Sequence, residues 1–495
     1  MELTLPTIAL LTPLFGAILI ALTGRRPDLR EGVTLLTAVG LFLIIASMWG
    51  PVAGGERPSA HLVELMGPGL TLALEVEPLG LIYALVASFL WIFNSVYSIG
   101  YMRTLYGARS EGQTRYYICF AAAIFAALGI AFSANLLTLF LFYEVLTFST
   151  YPLVTHARNE AAFRSGRIYL CILVSTSTLF LLTATIWTWV LTGTLDFTEG
   201  GILAGKASAG TMVALTCLFF FGTGKTALMP FHLWLPNAMV APTPVSALLH
   251  AVAVVKAGVF TVLKIAVAIL GLETMRQTGA GDVVAWFAAF TIIVASLLAM
   301  SQDNLKARLA YSTIGQLSYI VLAAAIATKS SITGGAMHIA MHAFGKITLF
   351  FCAGAIYATA HKTKISELGG IGRRMPITML CFLVGALSTI GLPPFGGAWS
   401  KWFLVQGTIE AHDIAFLVVL LVSSLLNIAY LLPIPLVAFF GREPQAAADG
   451  EEHPPAEHGE APLLCRIPII VTAIGCLLLF FWPRFLHDLA ALAAN

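Results

Sequence analysis

LLTLFLFYEVLTFSTYPL, residues 136–153, is an unbroken apolar run with one charged side chain, Glu144. About 20 such residues are needed to cross the ~30 Å hydrocarbon core of a bilayer as a helix, so the run reads as a membrane span. Glu144 stands near its middle. An ionised group at that depth costs roughly 2.5–3.5 kcal/mol even on the lenient insertion scale. A helix that keeps such a group must turn it toward other helices, which requires a bundle with a polar interior.

The rest of the chain extends this reading. Of 495 residues, 58% are hydrophobic and 11% charged, and the mean hydropathy is +0.88. A soluble domain carries about 25% charged residues, so the composition excludes that class. Apolar runs predict fourteen helices, near 5–23, 31–50, 78–100, 117–133, 135–155, 169–192, 211–240, 244–268, 282–300, 312–328, 332–358, 376–408, 414–440 and 466–482. The expected fold is all-α and polytopic, with short loops and no sizeable domain outside the membrane. The start, MELTLPTIALL, lacks the positive region of a signal peptide, so the first run is expected to remain as a span. The stretch 443–462 is acidic and rich in Pro and Ala, and is expected to be a flexible loop with solvated histidines.

Two predicted helices are too long for a simple span. Helix 7 contains Gly222, Gly224, Pro230 and Pro236; helix 12 contains Gly391, Pro393, Pro394, Gly396 and Gly397. Both are expected to be broken. Each break stands beside a lysine, in GTGKTALMP and PPFGGAWSK. Paired interruptions in corresponding positions point to inverted repeats. Counting five helices per unit gives helices 4–8 (117–270) and 9–13 (281–440), flanked by helices 1–3 (1–116) and by the acidic loop and last helix (441–495).

Basic residues show which groups lie inside the bilayer. Seventeen of 27 Lys and Arg fall in alternate loops beginning with Gly24–Arg30, and five on the other side. The remaining five, Lys225, Lys256, Lys264, Lys346 and Lys401, lie within predicted spans. Intramembrane ionisable residues mark ion or proton routes by default; the bland alternative is a buried pair that fixes helix packing. Lys264, near a helix end, could instead extend to the interface. Glu144 on helix 5 and Lys225 on helix 7 are the natural pair.

His338, His342 and Lys346 form HIAMHAFGK. Steps of four keep them within an arc of about 80° on one helix face, rising about 12 Å. That ladder suits proton transfer along the membrane normal. The HxxxH spacing could also hold a metal, or simply pack, but no carboxylate accompanies it. His250 and Lys256 on helix 8 lie about 120° apart around the axis, too far to bond directly. His232, in PFHLWLP, could bond carbonyls freed by the helix 7 break. GTGKT lacks the first glycine of a phosphate-binding loop, since Phe219 stands there. The seven cysteines show no CxxC spacing. Neither a metal nor a cofactor is therefore expected. Without a basic cluster, nucleic-acid binding is excluded.

The run PFHLWLPNAMVAPTPVSALLHAVAVVKAG, residues 230–258, resembles the signature of antiporter-like subunits of respiratory complex I and of Mrp-type cation/proton antiporters. Glu144, Lys225, MHAFGKITLFFCAGAI and GLPPFGGAWSKWFL are similar too. GGIGRRMPITM resembles Mrp subunits of the D type, together with related subunits of membrane-bound hydrogenases. The resemblance covers roughly 75–440. It implies fourteen helices with two inverted five-helix repeats. It also implies a proton path through Glu144, Lys225, His250, Lys256, His338, His342, Lys346 and Lys401, with Pro230, His232, Pro236, Pro393 and Pro394 at the helix breaks. The implied function is proton translocation within a multi-subunit monovalent cation/proton antiporter, with Na⁺ as the cation. The alternative is a proton-pumping arm of a redox complex. Implied partners are other membrane subunits and the lipid of a prokaryotic cell membrane. The chain ends 13 residues after the last predicted span, so the long lateral helix of the distal family members is not expected.

The bias of basic residues predicts that the first set of loops is cytoplasmic and both termini are outside. A reporter inserted in 443–462 should be cytoplasmic, and reporters at either terminus external. A cytoplasmic C-terminal reporter would contradict fourteen crossings.

Overall fold

The computed structural model describes residues 4–64, 70–442 and 459–494. In chain order, the first spans are α1 (Leu5–Leu22), α2 (Pro27–Ala53), α3 (Pro78–Tyr106), α4 (Gln113–Ala131), α5 (Leu136–Val154) and α6 (Glu160–Thr192). α7 opens with Ala209–Gly222 and then breaks. α8 (Thr243–Leu270), α9 (Asp282–Ser301), α10 (Leu305–Ile326) and α11 (Lys329–Ala360) follow. α12 comprises Pro376–Ile390 and Gly397–Glu410 on either side of a second break. α13 (Ile414–Phe440), α14 (Leu463–Phe481) and a short terminal helix, α15 (Arg484–Ala493), complete the order. The fourteen expected spans are thus twelve continuous helices and two interrupted ones. The chain is an all-α polytopic membrane protein.

Three local features depart from the sequence reading. Residues expected to be loop form an antiparallel hairpin, β1 (Ser59–Glu64) and β2 (Thr71–Glu75). β2 packs on the start of α5, where Ala134 N–H donates to Ala73 O at 3.0 Å and Ala73 N–H to Thr138 Oγ1 at 3.1 Å. α6 begins at Glu160 rather than 169, so Arg164 and Arg167 lie in its first turns. Asn159 starts it early by accepting from Ala162 N–H at 2.8 Å, an N-cap before an otherwise ordinary helical sequence. α15 is amphipathic and short, and no unbroken apolar run announced it. Most of the acidic stretch, 443–458, lies outside the described residues.

Two corners share one construction. Asn135 caps α5 and pairs with Asp196, four residues after α6 ends at Thr192; Asn304 caps α10 and pairs with Lys364, four residues after α11 ends at Ala360. The residue after each preceding helix, Gly193 or His361, takes the left-handed conformation that turns the chain.

α8 and α11 form the centre: 94% of the apolar window of each is buried, against 28% for α2. Lipid supplies no hydrophobic drive between helices, so close approach depends on small residues. A Cβ on Gly334 of α11 would lie 2.8 Å from Leu404 N, and one on Gly407 of α12 would lie 2.5 Å from Ser331 Cβ. These glycines let α11 and the second half of α12 touch along their backbones.

Gly407→Leu should therefore separate α11 from α12. Overpacking of this kind costs about 1–3 kcal/mol. The thermal midpoint of the purified assembly should fall, and an unchanged midpoint would show that the two helices are not this close.

Candidate functional site

The ionisable groups within the bundle are held by oxygens from particular helices. Lys225 follows the end of the first part of α7, in the one-turn segment Gly224–Thr226. Its Nζ donates to Tyr143 O at 2.8 Å and Thr147 Oγ1 at 2.7 Å, and lies 3.2 Å from the centroid of the Tyr143 ring. Its backbone N–H donates to Tyr143 Oη at 3.1 Å. No hydrogen bond or ion pair joins Glu144 to Lys225 among the described residues. Glu144 lies on the same stretch of α5 but half-buried, and its buried Oε1 has no hydrogen-bond partner. The physical reason is angular: Tyr143 and Thr147, four apart, share the face toward α7, while Glu144 is turned about 100° from the first and about 60° from the second.

The middle of the bundle is a connected set. Lys256 Nζ and His342 Nδ1 are 2.5 Å apart, joining α8 to α11. The rings of His342 and His338 stack with centroids 5.6 Å apart. His338 Nδ1 meets Ser400 Oγ of α12 at 2.8 Å, and its Nε2 meets Gln316 Oε1 of α10 at 3.1 Å. Both nitrogens of His338 are thus engaged, and Nδ1 of His342 faces an amine. His250 is fully buried in a π-helical segment of α8, Leu248–Val252, against the Phe350 ring at 4.7 Å. Neither of its nitrogens, nor His342 Nε2, has a hydrogen-bond partner among the described residues. Lys346 extends to the other side of the ladder, donating to Ser312 Oγ at 2.6 Å and Leu309 O at 3.3 Å. Tyr430 Oη then donates to Ser312 at 3.0 Å.

Each helix break places acceptors. Lys401, one residue after Ser400, donates to Ile390 O at 2.8 Å, the last residue of the first half of α12, and lies 5.0 Å from the Tyr319 ring. Gly391 makes this possible, because a Cβ there would lie 2.6 Å from Lys401 Cδ. Pro393 and Pro394 stand in the break itself, whose Gly396 N–H donates to Cys476 O of α14 at 2.8 Å. In the α7 break, Pro230 is exposed, and Pro236 lies in the short helix Trp234–Asn237. Trp234 and His232 both bond main-chain carbonyls of this break: the indole N–H of Trp234 donates to Gly224 O at 3.0 Å, and His232 bonds the backbone of Pro230. Lys306 closes the far end by donating to Met239 O at 2.8 Å and Ala241 O at 2.7 Å.

Lys264 reaches toward the end of α8, where loop and helix-end groups gather. It is buried, pairs with Glu77 at the start of α3, and lies 4.5 Å from the Phe197 ring. It lines a small polar cavity of about 170 Å³ with Arg57, Glu75 and Glu199.

The arrangement offers a proton a series of amines, imidazoles and hydroxyls from Lys256 to Lys401, with side branches at Lys346 and His250. Lys225 is joined to Lys256 by no hydrogen bond among the described residues, although α8 touches its turn: a Cβ on Gly258 would lie 2.7 Å from the Lys225 carbonyl carbon. The acceptors Tyr143, Thr147, Ser312, Gln316, Tyr319 and Ser400 were not singled out in the sequence. One signal was there. Ser312, Gln316 and Tyr319 are spaced four and three apart, so they share a face of α10.

Known proteins place this geometry in a family. Residues 133–427 match the family described as "NADH:quinone oxidoreductase/Mrp antiporter, TM". NADH-quinone oxidoreductase subunit N of Desulforudis audaxviator is 31% identical over 488 residues, covering 96% of this chain and 95% of that protein. The putative antiporter subunit mnhA2 of Staphylococcus haemolyticus is 29% identical, covering 86% of this chain and 54% of its own length. The chain likewise spans 62% of NAD(P)H-quinone oxidoreductase chain 5 of Synechocystis, at 30% identity. In fold it is similar to a chain of the Mrp complex from Dietzia sp., with a TM-score of 0.85 at 20% identity, covering 99% and 96% of the two chains. A chain of the archaeal membrane-bound sulfane sulfur reductase gives 0.84 at 22% identity, with the same coverage. The match over more than half its length shows that this chain belongs to the NADH:quinone oxidoreductase/Mrp antiporter transmembrane family.

Proposed function

We propose that this protein is the proton-translocating subunit of a multi-subunit Mrp-type Na⁺/proton antiporter in a prokaryotic cell membrane, with both termini outside. The observation that carries the reading is the buried series Lys256–His342–His338–Ser400–Lys401, which runs across three helices of an apolar bundle. Antiporter-like membrane subunits of this family occur in both Mrp and complex I-like assemblies. The end-to-end match to a quinone oxidoreductase subunit favours a second reading, a proton-pumping arm of a redox complex. Transport by the purified assembly in proteoliposomes separates them: the first requires an imposed Na⁺ gradient to move protons without redox substrate. Proton movement only during redox turnover would establish the second.

Residues 117–270 and 281–440 act in this proposal as two inverted repeats, which the matched Asn135 and Asn304 corners support. In the first, Lys225 is held by Tyr143 and Thr147 while the Glu144 carboxylate stands apart. Proton transfer requires Lys225 to exchange these oxygens for the carboxylate in turn, so that it alternately holds and releases a proton. Between the two repeats, an ammonium at Lys256 of the first donates to the imidazole lone pair of His342 of the second. The next transfers follow the stacked histidines to Ser400 and Lys401. Internal water completes such routes where buried nitrogens lack protein partners, as at His250 and His342.

Two outcomes test the residues. Glu144→Gln removes the exchange partner, and Lys225→Arg installs a group that stays charged at every relevant pH. Each should lower gradient-driven proton transport in vesicles at least about tenfold, at equal amounts of assembled complex. Near-normal transport in either variant would exclude the exchange.

His338→Ala and His342→Ala interrupt one line, so the double variant should cost much less than the sum of the single losses. Additive losses would place the two histidines on separate routes.

A further inference from the structure

Lys401 faces a second environment that the proton series leaves unused. Beside the α12 break, a cavity of about 620 Å³ lies between α12, α13 and α14. That is within the roughly 300–1,000 Å³ range of small-molecule sites. Its lining includes Trp402, Leu421, Leu425 and Phe480, with Lys401 as the only charged residue and Ser424 as the only hydroxyl. Lys401 is 9% exposed, whereas Trp402 is 56% and Leu425 67% exposed. These exposed apolar residues stand on membrane-spanning helices, so the mouth opens on the apolar flank of the bundle, with the buried amine on its inner side.

An ammonium has three N–H donors. Lys401 uses one on Ile390 O and lies 5.0 Å from the Tyr319 ring, with no carboxylate paired to it among the described residues, and a buried ammonium with only neutral partners is poorly compensated. A ligand that satisfies this chamber needs one anionic head at the amine and an apolar tail toward the mouth. A membrane-dissolved long-chain carboxylate has that form and reaches the mouth from the bilayer. The lining supplies no second cation for a doubly charged phosphate head. A partner helix would have to place a carboxylate at the floor of a narrow cleft.

We propose that this chamber binds a long-chain carboxylate, its head ion-paired with Lys401 and its chain between α12 and α13. Binding stands on the chamber alone. Its consequence rests on the proposed role of Lys401, because an ion-paired amine would no longer pass protons and the carboxylate would slow transport.

The test uses the purified complex in nanodiscs with a photoreactive oleate analogue. The label should map to the α12–α13 lining. Oleate should displace it at least about tenfold better than oleyl alcohol, since the charged head supplies the buried pair. Oleate should also displace it better than lysophosphatidate. Lys401→Met should erase the preference for oleate over the alcohol. Leu425→Trp fills the chamber away from the proton series, so it should abolish labelling while keeping transport. Added oleate should slow transport by the native protein but not by the Leu425→Trp variant. Equal competition by oleyl alcohol, better competition by lysophosphatidate, or undiminished labelling of Leu425→Trp would overturn the site. A cross-link from Leu425→Cys to a neighbouring protein chain in place of the fatty-acid label would do the same. Specific labelling without any effect on transport would leave the site standing and overturn the role of Lys401.

Discussion

An amine inside a bilayer must find oxygen atoms, and this structure is organised around where those atoms come from. Continuous helices spend their carbonyls on their own hydrogen bonds, so they have little to give. Besides the His342 imidazole for Lys256 and the Glu77 carboxylate for Lys264, the protein uses two sources. One is a helix face where a hydroxyl stands beside a main-chain carbonyl, as Thr147 and Tyr143 O do for Lys225 and Ser312 and Leu309 O for Lys346. The other is the carbonyl freed where a helix stops. Ile390 O serves Lys401 at the α12 break, and Met239 O and Ala241 O serve Lys306 at the end of the α7 break. The glycines and prolines that interrupt these spans are therefore part of the charge-binding chemistry as much as of the backbone path.

This constraint explains how far the sequence could be read. Spans, breaks and the lysines beside them follow from hydropathy and from Gly and Pro, and the structure has them. The ladder on α11 follows from a spacing of four. Partners were harder to see. Glu144 drew the eye as the one carboxylate deep in a span, yet Tyr143 and Thr147 hold Lys225. Opposite charges suggest pairs, but which face of α5 meets α7 depends on the rotation of that helix, which its nearly uniform apolarity leaves open. The part played by Trp234 beside His232 was hidden for a similar reason, since an irregular segment gives no period from which to infer direction. The hairpin before α3 and the helix after α14 are short and amphipathic, signals too brief to stand out beside long apolar runs.

The two halves of the molecule treat their buried charges differently. From Lys256 to Ser400, next to Lys401 in the chain, the donors and acceptors are in contact or stacked. Between Lys225 and Lys256 no such contact exists among the described residues, although Gly258 brings the two backbones together. A closed series can pass a proton with small movements of side chains. An open junction must first be bridged, by water or by rotation of Lys225 away from Tyr143.

A transporter that moved protons along a permanently connected line would leak, because nothing would tie passage to the movement of another ion or to a redox step. Coupling needs one link whose closure depends on the state of the rest of the assembly. The Glu144–Lys225 region has the properties of such a link: an amine satisfied in one position, a carboxylate with an unpartnered buried oxygen in another, and a helix break between them and the connected half. Lys306 is well placed to transmit a change, since it fastens the far end of that break to α10, the helix whose Ser312 and Gln316 hold Lys346 and His338. A shift in the α7 break would thus be felt both at Lys225 and, through one helix, along the histidine ladder.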